Sequence, residues 1–169
     1  MNKNKFLNSN ELIQLETLLH KHLKDDTRNC LLLLLAIKTG ARASELLAIK
    51  KTDLDKHNKT VYIRGLKGSD NLEMPLSNKL FAELYKYSNT VVGDFIFPIS
   101  YERFVQIYKH YRNTNHPLKS LRHSFALELY KKSKDIRLVQ QALKHKSITS
   151  TQVYQTYLYT QQQLRKYIA

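Results

Sequence analysis

The sequence predicts a mostly α-helical domain with one small β-hairpin, an α+β fold class. Apolar residues recur at helical spacing through most of the 169 residues. One stretch differs, because the short runs "TVYIR" and "LEMPL" flank a turn rich in Gly, Ser, Asp and Asn, which is typical of a hairpin. Hydrophobic residues make up 42% and charged residues 25% of the chain, as in ordinary globular proteins. We therefore expect residues 1–169 to form a single domain.

The first helices are predicted from their end signals. Asn8 and Glu11 have the spacing of a capping box, and the leucines that follow share one helix face. Asp25 and Asp26 are expected to end this helix and cap the next one. The next run, "CLLLLLAI", is apolar on all sides and predicts a buried central helix, which Gly40 ends as a C-terminal cap. A short helix is expected through "SELLAI".

The second half continues the helical pattern. Ser77 and Ser100 are N-cap signals for two further helices. Between these helices "DFIF" is expected to form a short strand ended by Pro98. Helices are then predicted over 119–131 and 136–143, and a last one from about 151 to the end of the sequence.

The chain carries a large positive charge. Lys and Arg number 28 against 14 Asp and Glu, which gives a net charge of +14 and a pI near 9.8. Such an excess indicates a polyanionic partner, which can be DNA, RNA or an acidic membrane surface. The alternative is a protein whose basic residues are scattered over its surface.

Several other classes of protein are disfavoured. The one cysteine, Cys30, rules out an internal disulfide, and beside its apolar run it is expected to be a small buried residue, as suits a reducing cytosol. That run is too short to cross a bilayer, and the N-terminus lacks a hydrophobic signal core. No Cys/His spacing resembles a zinc site and no glycine-rich loop resembles a nucleotide site, so we expect neither a metal nor a cofactor.

Three groups of basic residues are candidates for binding phosphate. Arg42 opens the short helix after Gly40, and Glu45 on the same face could orient its guanidinium. Lys119 and Arg122 lie three residues apart on one helix face, where a phosphate between them would relieve their repulsion. Lys67 lies at the hairpin tip. Each of these can equally be an ordinary surface residue.

The stretch "KHKSITSTQVYQTYLYT" contains His145 and three tyrosines, Tyr154, Tyr157 and Tyr159. A tyrosine hydroxyl is a poor nucleophile, because an ordinary pKa near 10 leaves about 0.1% phenolate at neutral pH. It can attack a phosphate only when several cations neutralise the charge and the leaving group receives a proton. The alternative is that all three tyrosines pack an amphipathic helix.

Four segments in sequence favour the reactive alternative over simple packing. The segments "TGARASELLAI", "GLKGSDNLEMPL", "LKSLRHSFALEL" and "LKHKSITSTQVY" resemble, in order and spacing, the motifs of the tyrosine recombinases, also called the phage integrase family. The resemblance runs from about Leu12 to Tyr159. It implies the catalytic-domain fold of that family, in a short form without the N-terminal core-binding domain.

The resemblance assigns a role to each candidate. The implied catalytic residues are the two arginines, the hairpin lysine as general acid, a lysine and a histidine that contact the phosphate, and the nucleophile: Arg42, Arg122, Lys67, Lys119, His145 and Tyr154. Glu45 is the acidic companion of Arg42, and His123 is a supporting hydrogen-bonding residue. Tyr157 and Tyr159 are then packing or docking residues.

The sequence departs from the family pattern at two of these motifs. Lys119 stands where the family usually has a histidine, in "KSLR" for "HxxR". It keeps the positive charge, but an ammonium of ordinary pKa cannot act as a base near neutral pH. Lys144 stands for a glycine, in "LKH" for "LGH".

The resemblance implies a site-specific DNA recombinase, of the integrase or invertase type, that cleaves and rejoins DNA through a 3′-phosphotyrosyl intermediate. Two other functions stay open: a non-catalytic DNA-binding protein that keeps the fold, and a DNA relaxase of the type IB topoisomerase kind. The implied partners are double-stranded DNA, a homo-tetramer on two DNA sites and an accessory DNA-binding protein, with no membrane. The implied location is the cytoplasm, at the nucleoid of a bacterial, phage or plasmid host. Residues from about 155 to 169 would form a docking tail on a neighbouring subunit, or pack on their own domain.

Overall fold

The computed structural model describes residues 6–66 and 68–156 of the chain, and within these ranges eight α-helices accompany one three-stranded antiparallel sheet. The helices are α1 (Ser9–His22), α2 (Thr27–Thr39), α3 (Ala43–Leu47), α4 (Asn78–Ser88), α5 (Tyr101–Tyr111), α6 (Ser120–Ser133), α7 (Ile136–Ala142) and α8 (Thr149–Thr156). The strands are β1 (Leu54–Asp55), β2 (Thr60–Ile63) and β3 (Leu72–Pro75). The predicted fold class is confirmed.

Helix α2 is the centre of the molecule. Every residue from Cys30 to Ile37 is buried, and α1, α3, α4 and α6 all contact this helix. Such a helix cannot expose any face, which is why its sequence is apolar on all sides. Gly40 caps its end with φ of 61°, and its N–H donates to the carbonyl of Ala36. The predictions of a buried central helix, a glycine cap and a buried Cys30 are confirmed.

The N-terminus of α1 forms as predicted, whereas that of α2 does not. Asn8 and Glu11 make a reciprocal capping box. Asp26 occupies the N-cap position of α2, but in the described part of the chain its side chain makes no capping hydrogen bond. Its carboxylate instead accepts hydrogen bonds from the Tyr111 hydroxyl (2.6 Å) and the Asn29 amide (3.0 Å). The capping prediction is wrong at Asp26 because a distant tyrosine competes for the carboxylate.

The predicted hairpin is present, but the sheet differs at its edges. Strands β2 and β3 pair from Thr60 opposite Pro75 to Ile63 opposite Leu72, and the unpredicted strand β1 adds to β2. The segment "DFIF" is not a strand, since Phe95 makes one isolated bridge to Lys50. The consecutive residues after Phe95 are both buried, so the side chains do not alternate between two faces as in a regular strand.

Helices α6, α7 and α8 enclose a smaller apolar cluster beside the main core. It contains Ala126, Leu127, Val139, Leu143 and Tyr154. Phe125 of α6 packs against both clusters and so joins the C-terminal helices to the rest of the fold. Among the described residues, no helix has both the length and the hydrophobicity that a membrane span requires.

Replacing Gly40 by alanine should destabilise the fold more than the same change at Gly93. Both glycines have positive φ, which costs an alanine about 1–2 kcal/mol. A Cβ at Gly40 would also lie 2.2 Å from the ring of Phe125, whereas nothing lies within 4 Å of one at Gly93. Overpacking adds about 1–3 kcal/mol, so we expect Gly40→Ala to cost about 2–5 kcal/mol in total.

Urea unfolding followed by circular dichroism would measure both losses. Equal losses for Gly40→Ala and Gly93→Ala would show that α6 does not press on the end of α2.

Candidate active site

Arg42 lies at the break between α2 and α3, as its N-cap position requires. Its guanidinium Nη1 is 3.1 Å from Glu45 Oε1, and its backbone N–H donates to Glu45 Oε2 at 2.9 Å. The Arg42 side chain is 42% exposed, whereas that of Glu45 is fully buried. Glu45 therefore holds one edge of the guanidinium and leaves the rest open to a ligand.

Glu45 Oε1 is shared by groups from three segments of the chain. Besides Arg42, the hydroxyl of Ser69 in the hairpin loop donates to it at 3.1 Å. The ammonium of Lys144 is 2.8 Å away and forms an ion pair with it. Burial alone would raise the pKa of Glu45, but the contacts with Lys144 and Arg42 outweigh it and hold that pKa below its ordinary value. The carboxylate is thus ionised at neutral pH.

Arg122, in the first turn of α6, ties the ends of two other helices together. Its Nη1 donates to the carbonyl of Gly40 (2.7 Å) and its Nη2 to that of Leu143 (2.6 Å). Burial, followed by repulsion from Arg42, lowers the pKa of Arg122 to about 10, so it stays charged at neutral pH. A guanidinium has five N–H donors, and those not used on the carbonyls are available to an anion.

The structure brings three of the predicted residues to one cavity. Arg42, Lys119 and Arg122 line a cavity of about 220 Å³ together with Tyr101 and Phe104. Lys119 is exposed at the N-terminal end of α6. The first N–H groups of a helix point outward and carry partial positive charge. The basic side chains at this cavity therefore suit an anion.

The predicted hairpin residue, Lys67, lies outside the described residues. Its neighbours show where the hairpin loop runs. Ser69 contacts Glu45, and a Cβ at Gly68 would lie 3.6 Å from the ammonium of Lys146. The loop thus lies over Glu45 and beside the segment that carries His145.

His145 follows α7 and is half-buried. Its Nδ1 is 2.9 Å from the hydroxyl of Thr151, and its backbone N–H donates to the carbonyl of Gln140. Burial first, then repulsion from Arg122 and Arg42, lowers the pKa of His145 to about 4. The imidazole is therefore neutral at pH 7. When Nδ1 accepts from Thr151, the ring proton is on Nε2, which can donate to a ligand.

Tyr154, on α8, is 3% exposed and belongs to the smaller apolar cluster. Its hydroxyl lies 2.9 Å from Nδ1 of His123 on α6. His123, for which the resemblance implies a supporting role, therefore lies beside the predicted nucleophile. Tyr157, Tyr159 and the remainder of the predicted docking tail lie outside the described residues.

Sequence reasoning gave no role to Lys144, Ser69 or Thr151. The signal for Lys144 was present, since a lysine stood at the end of a helix where a glycine was expected. Ser69 and Thr151 carried no signal, because their roles arise from contacts that only the folded chain reveals. Across residues 6–66 and 68–156 no cluster of three His, Cys, Asp or Glu side chains is placed to hold a metal.

Comparison with known proteins decides the family. Residues 5–161 match the phage integrase family. The chain belongs to the phage integrase family. The resemblance drawn from the four motifs is confirmed, and relatives named tyrosine recombinases are similar over most of the chain. XerA of Pyrococcus horikoshii is 30% identical over 144 residues, which are 77% of this chain and 50% of that protein. XerC of Bacillus pumilus is 31% identical over 171 residues, 88% of this chain and 56% of that protein.

Solved structures of phage integrase relatives share the fold. XerH recombinase, in a post-cleavage complex with its palindromic difH substrate, has a TM-score of 0.78 and 27% identity over 98% of this chain and 52% of its own. The catalytic domain of bacteriophage HP1 integrase has a TM-score of 0.70 and 20% identity, and covers 98% of this chain and 95% of its own. The predicted catalytic-domain fold is confirmed. The chain spans about half the length of the curated relatives it matches.

The buried neutral His145 should make stability depend on pH. The unfolded histidine takes up a proton near pH 6.5, whereas the folded one does so only near pH 4. Protonation between these values therefore favours the unfolded chain, and the free energy of unfolding should fall as the pH falls from 6.5 to 4.

Urea unfolding across this pH range would measure the dependence. His145→Asn should reduce the slope relative to the unchanged protein, and the same substitution at the exposed His20 should leave it unaltered. Equal slopes in all three proteins would contradict the burial of a neutral His145.

Proposed function

We propose that this chain is the catalytic domain of a site-specific DNA recombinase. The meeting of Arg42, Lys119 and Arg122 at one cavity carries the proposal, because cations from two separate segments, the α2–α3 break and the start of α6, repel one another unless an anion lies among them. A phosphodiester supplies that anion, and a guanidinium can bind it through two hydrogen bonds. The similarity to XerH, solved with its DNA substrate, supports DNA as the source of the phosphate.

Tyr154 is the proposed nucleophile. Its oxygen attacks the scissile phosphorus in line, forms a 3′-phosphotyrosyl bond and breaks the bond to the 5′ oxygen. The cationic cavity stabilises the charge that develops on the non-bridging oxygens, and the neutral ring of His145 adds a hydrogen bond. The ester conserves the energy of the broken bond, so a 5′ hydroxyl of another strand can reverse the step and complete an exchange.

Each step of this reaction moves two protons. The leaving 5′ oxygen takes one from Lys67, the proposed general acid. The tyrosine hydroxyl gives up the other as its bond to phosphorus forms. Nδ1 of His123 lies 2.9 Å from that hydroxyl in its buried position, and we propose that an unprotonated His123 stays in contact as the tyrosine moves and accepts the proton. Lys119 is proposed to contact the phosphate from the edge of the cavity.

Tyr154 is buried in the structure and must move before it can cleave DNA. A side chain that is 3% exposed cannot reach the phosphorus of a bound duplex. Cleavage therefore requires α8 to move so that the hydroxyl leaves the apolar cluster. That cluster is smaller than the main core, so fewer apolar contacts oppose the motion.

The proposed partners follow from the proposed reaction. They are double-stranded DNA and further copies of the protein, in a homo-tetramer that holds two DNA sites and exchanges strands through a Holliday junction. Residues from about 155 to 169 would dock on the neighbouring subunit. An accessory DNA-binding protein would grip the opposite face of the duplex, and the complex would act in the cytoplasm at the nucleoid.

Covalent trapping tests the nucleophile. Incubation with supercoiled DNA that carries the natural flanking sequences, a detergent stop, digestion and mass spectrometry should find a nucleotide on Tyr154. Tyr154→Phe should bind DNA with unchanged affinity and form no adduct, whereas Tyr157→Phe and Tyr159→Phe should form it normally. Tight binding without any adduct would favour a non-catalytic DNA-binding protein, and adducts at many unrelated sequences would favour a relaxase.

The salt dependence of binding tests the cationic cavity. Each phosphate contact that is lost should reduce the slope of log K against log salt by about 0.9. Lys119→Ala should show this reduction, because Lys119 lines the cavity and is exposed. Lys86→Ala, an equally exposed change on α4, should keep the full slope. Identical slopes for these two variants would argue against phosphate at the cavity.

A further inference from the structure

Lys144 occupies a position that is unfavourable for a lysine in two ways. It follows the C-cap residue of α7 with φ of 55°, a left-handed conformation in which glycine is the usual residue. A residue with a side chain costs about 1–2 kcal/mol there. The side chain is also only 3% exposed, and an ammonium out of water is costly unless it is paired. A residue retained against both costs calls for a compensating contact.

That contact is with Glu45, 99 positions earlier in the chain. The ammonium of Lys144 is 2.8 Å from Glu45 Oε1, and both side chains are almost fully buried. The same oxygen is approached by Nη1 of Arg42 and by the hydroxyl of Ser69. Glu45 thus joins α3, the hairpin loop and the segment after α7 at a single atom.

We propose that Lys144 is a positioning residue, which clamps Glu45 and so holds Arg42 and the hairpin loop in register with His145. Its effect on catalysis rests on the function proposed above, but the clamp itself does not. Lys144 touches none of the reacting atoms. It acts through Glu45, whose other oxygen holds the backbone of Arg42.

The clamp works only while Glu45 is ionised. The charged groups that act on Glu45 are Lys144, Arg42 and Arg122. Arg42 is 42% exposed, so water weakens its pull on the carboxylate, and Arg122 spends two of its donors on backbone carbonyls. Lys144 is the cation that is buried with the carboxylate. Without it, burial would dominate and Glu45 would take up a proton nearer neutral pH, which would release the guanidinium of Arg42.

Lys144→Met tests the clamp, because methionine keeps the length and removes the charge. In adduct formation with DNA, the acid limb of the pH–rate profile should move toward neutral pH, because Lys144 no longer lowers the pKa of Glu45. Lys144→Gly should shift the acid limb in the same direction. Because glycine adopts the left-handed conformation at this position without strain, this variant serves as a second test if Lys144→Met folds poorly. Lys144→Arg should restore much of the original profile.

A matched control is available on the surface. Lys131 and Glu128 also form an ion pair at 2.8 Å, but their side chains are 39% and 24% exposed. Lys131→Met removes an ammonium from a pair of the same length that water screens. It should leave the pH–rate profile unchanged. A limb that moves equally in Lys131→Met and Lys144→Met would overturn the proposal.

Thermal unfolding measures how much the Lys144–Glu45 ion pair stabilises the protein in the absence of DNA. The stabilising effect of a carboxyl whose folded pKa is lowered is present above its unfolded pKa and is lost as the pH falls. The gap in Tm between the unchanged protein and Lys144→Met should therefore be wide at pH 8 and should close as the pH falls below 4.5, through the lowered folded pKa of Glu45. In a Glu45→Gln background the same lysine substitution should give a gap that does not vary with pH.

The pH dependence of Tm tests the clamp, and adduct formation with DNA tests the recombinase function, so failure of one can be distinguished from failure of the other. A pH-dependent Tm gap without any adduct in the unchanged protein would support the clamp and count against the recombinase. A gap that is constant with pH, together with an unmoved acid limb in Lys144→Met and Lys144→Gly, would show that Lys144 fills space and does not hold Glu45.

Discussion

The burial of α2 on all sides is the constraint on which the other contacts depend. A helix that is apolar on every face must be covered by neighbours, and four helices cover this one. Their packing determines where α2 ends, at Gly40. Arg42 follows two residues later, and the carbonyl of Gly40 receives Arg122. The hydrophobic core thus fixes the positions of both arginines before any electrostatic interaction refines them.

The side chains around the cavity carry more positive than negative charge. Arg42, Arg122 and Lys144 gather around one buried carboxylate, Glu45. This excess of positive charge affects Arg122 and His145. Repulsion from nearby cations adds to burial in lowering the pKa of both side chains. A phosphate bound among these cations would offset that repulsion, which favours its binding.

The sequence predicted the features that depend on local pattern. The capping box at Asn8, the glycine end of α2 and the central helix all follow from residues a few positions apart. The meeting of Arg42, Lys119 and Arg122 was anticipated because a family resemblance supplied the three-dimensional arrangement that spacing alone does not contain. The role of Asp26 was missed because its partner, Tyr111, is 85 residues away. The ion pair of Lys144 was missed for the same reason, and the short strand β1 because two residues carry no recognisable period.

The hydrogen bond between Tyr154 and His123 has a consequence for the order of events on DNA. In the recombinase proposed above, a charge of +14 would hold the protein on any duplex and let it travel along that duplex before it reaches a particular sequence. If its nucleophile were always exposed, each of these encounters would risk a nick. Because the tyrosine is buried in an apolar cluster until α8 moves, the proposed recombinase would separate the search for its target site from strand cleavage. DNA would then not be nicked during the search.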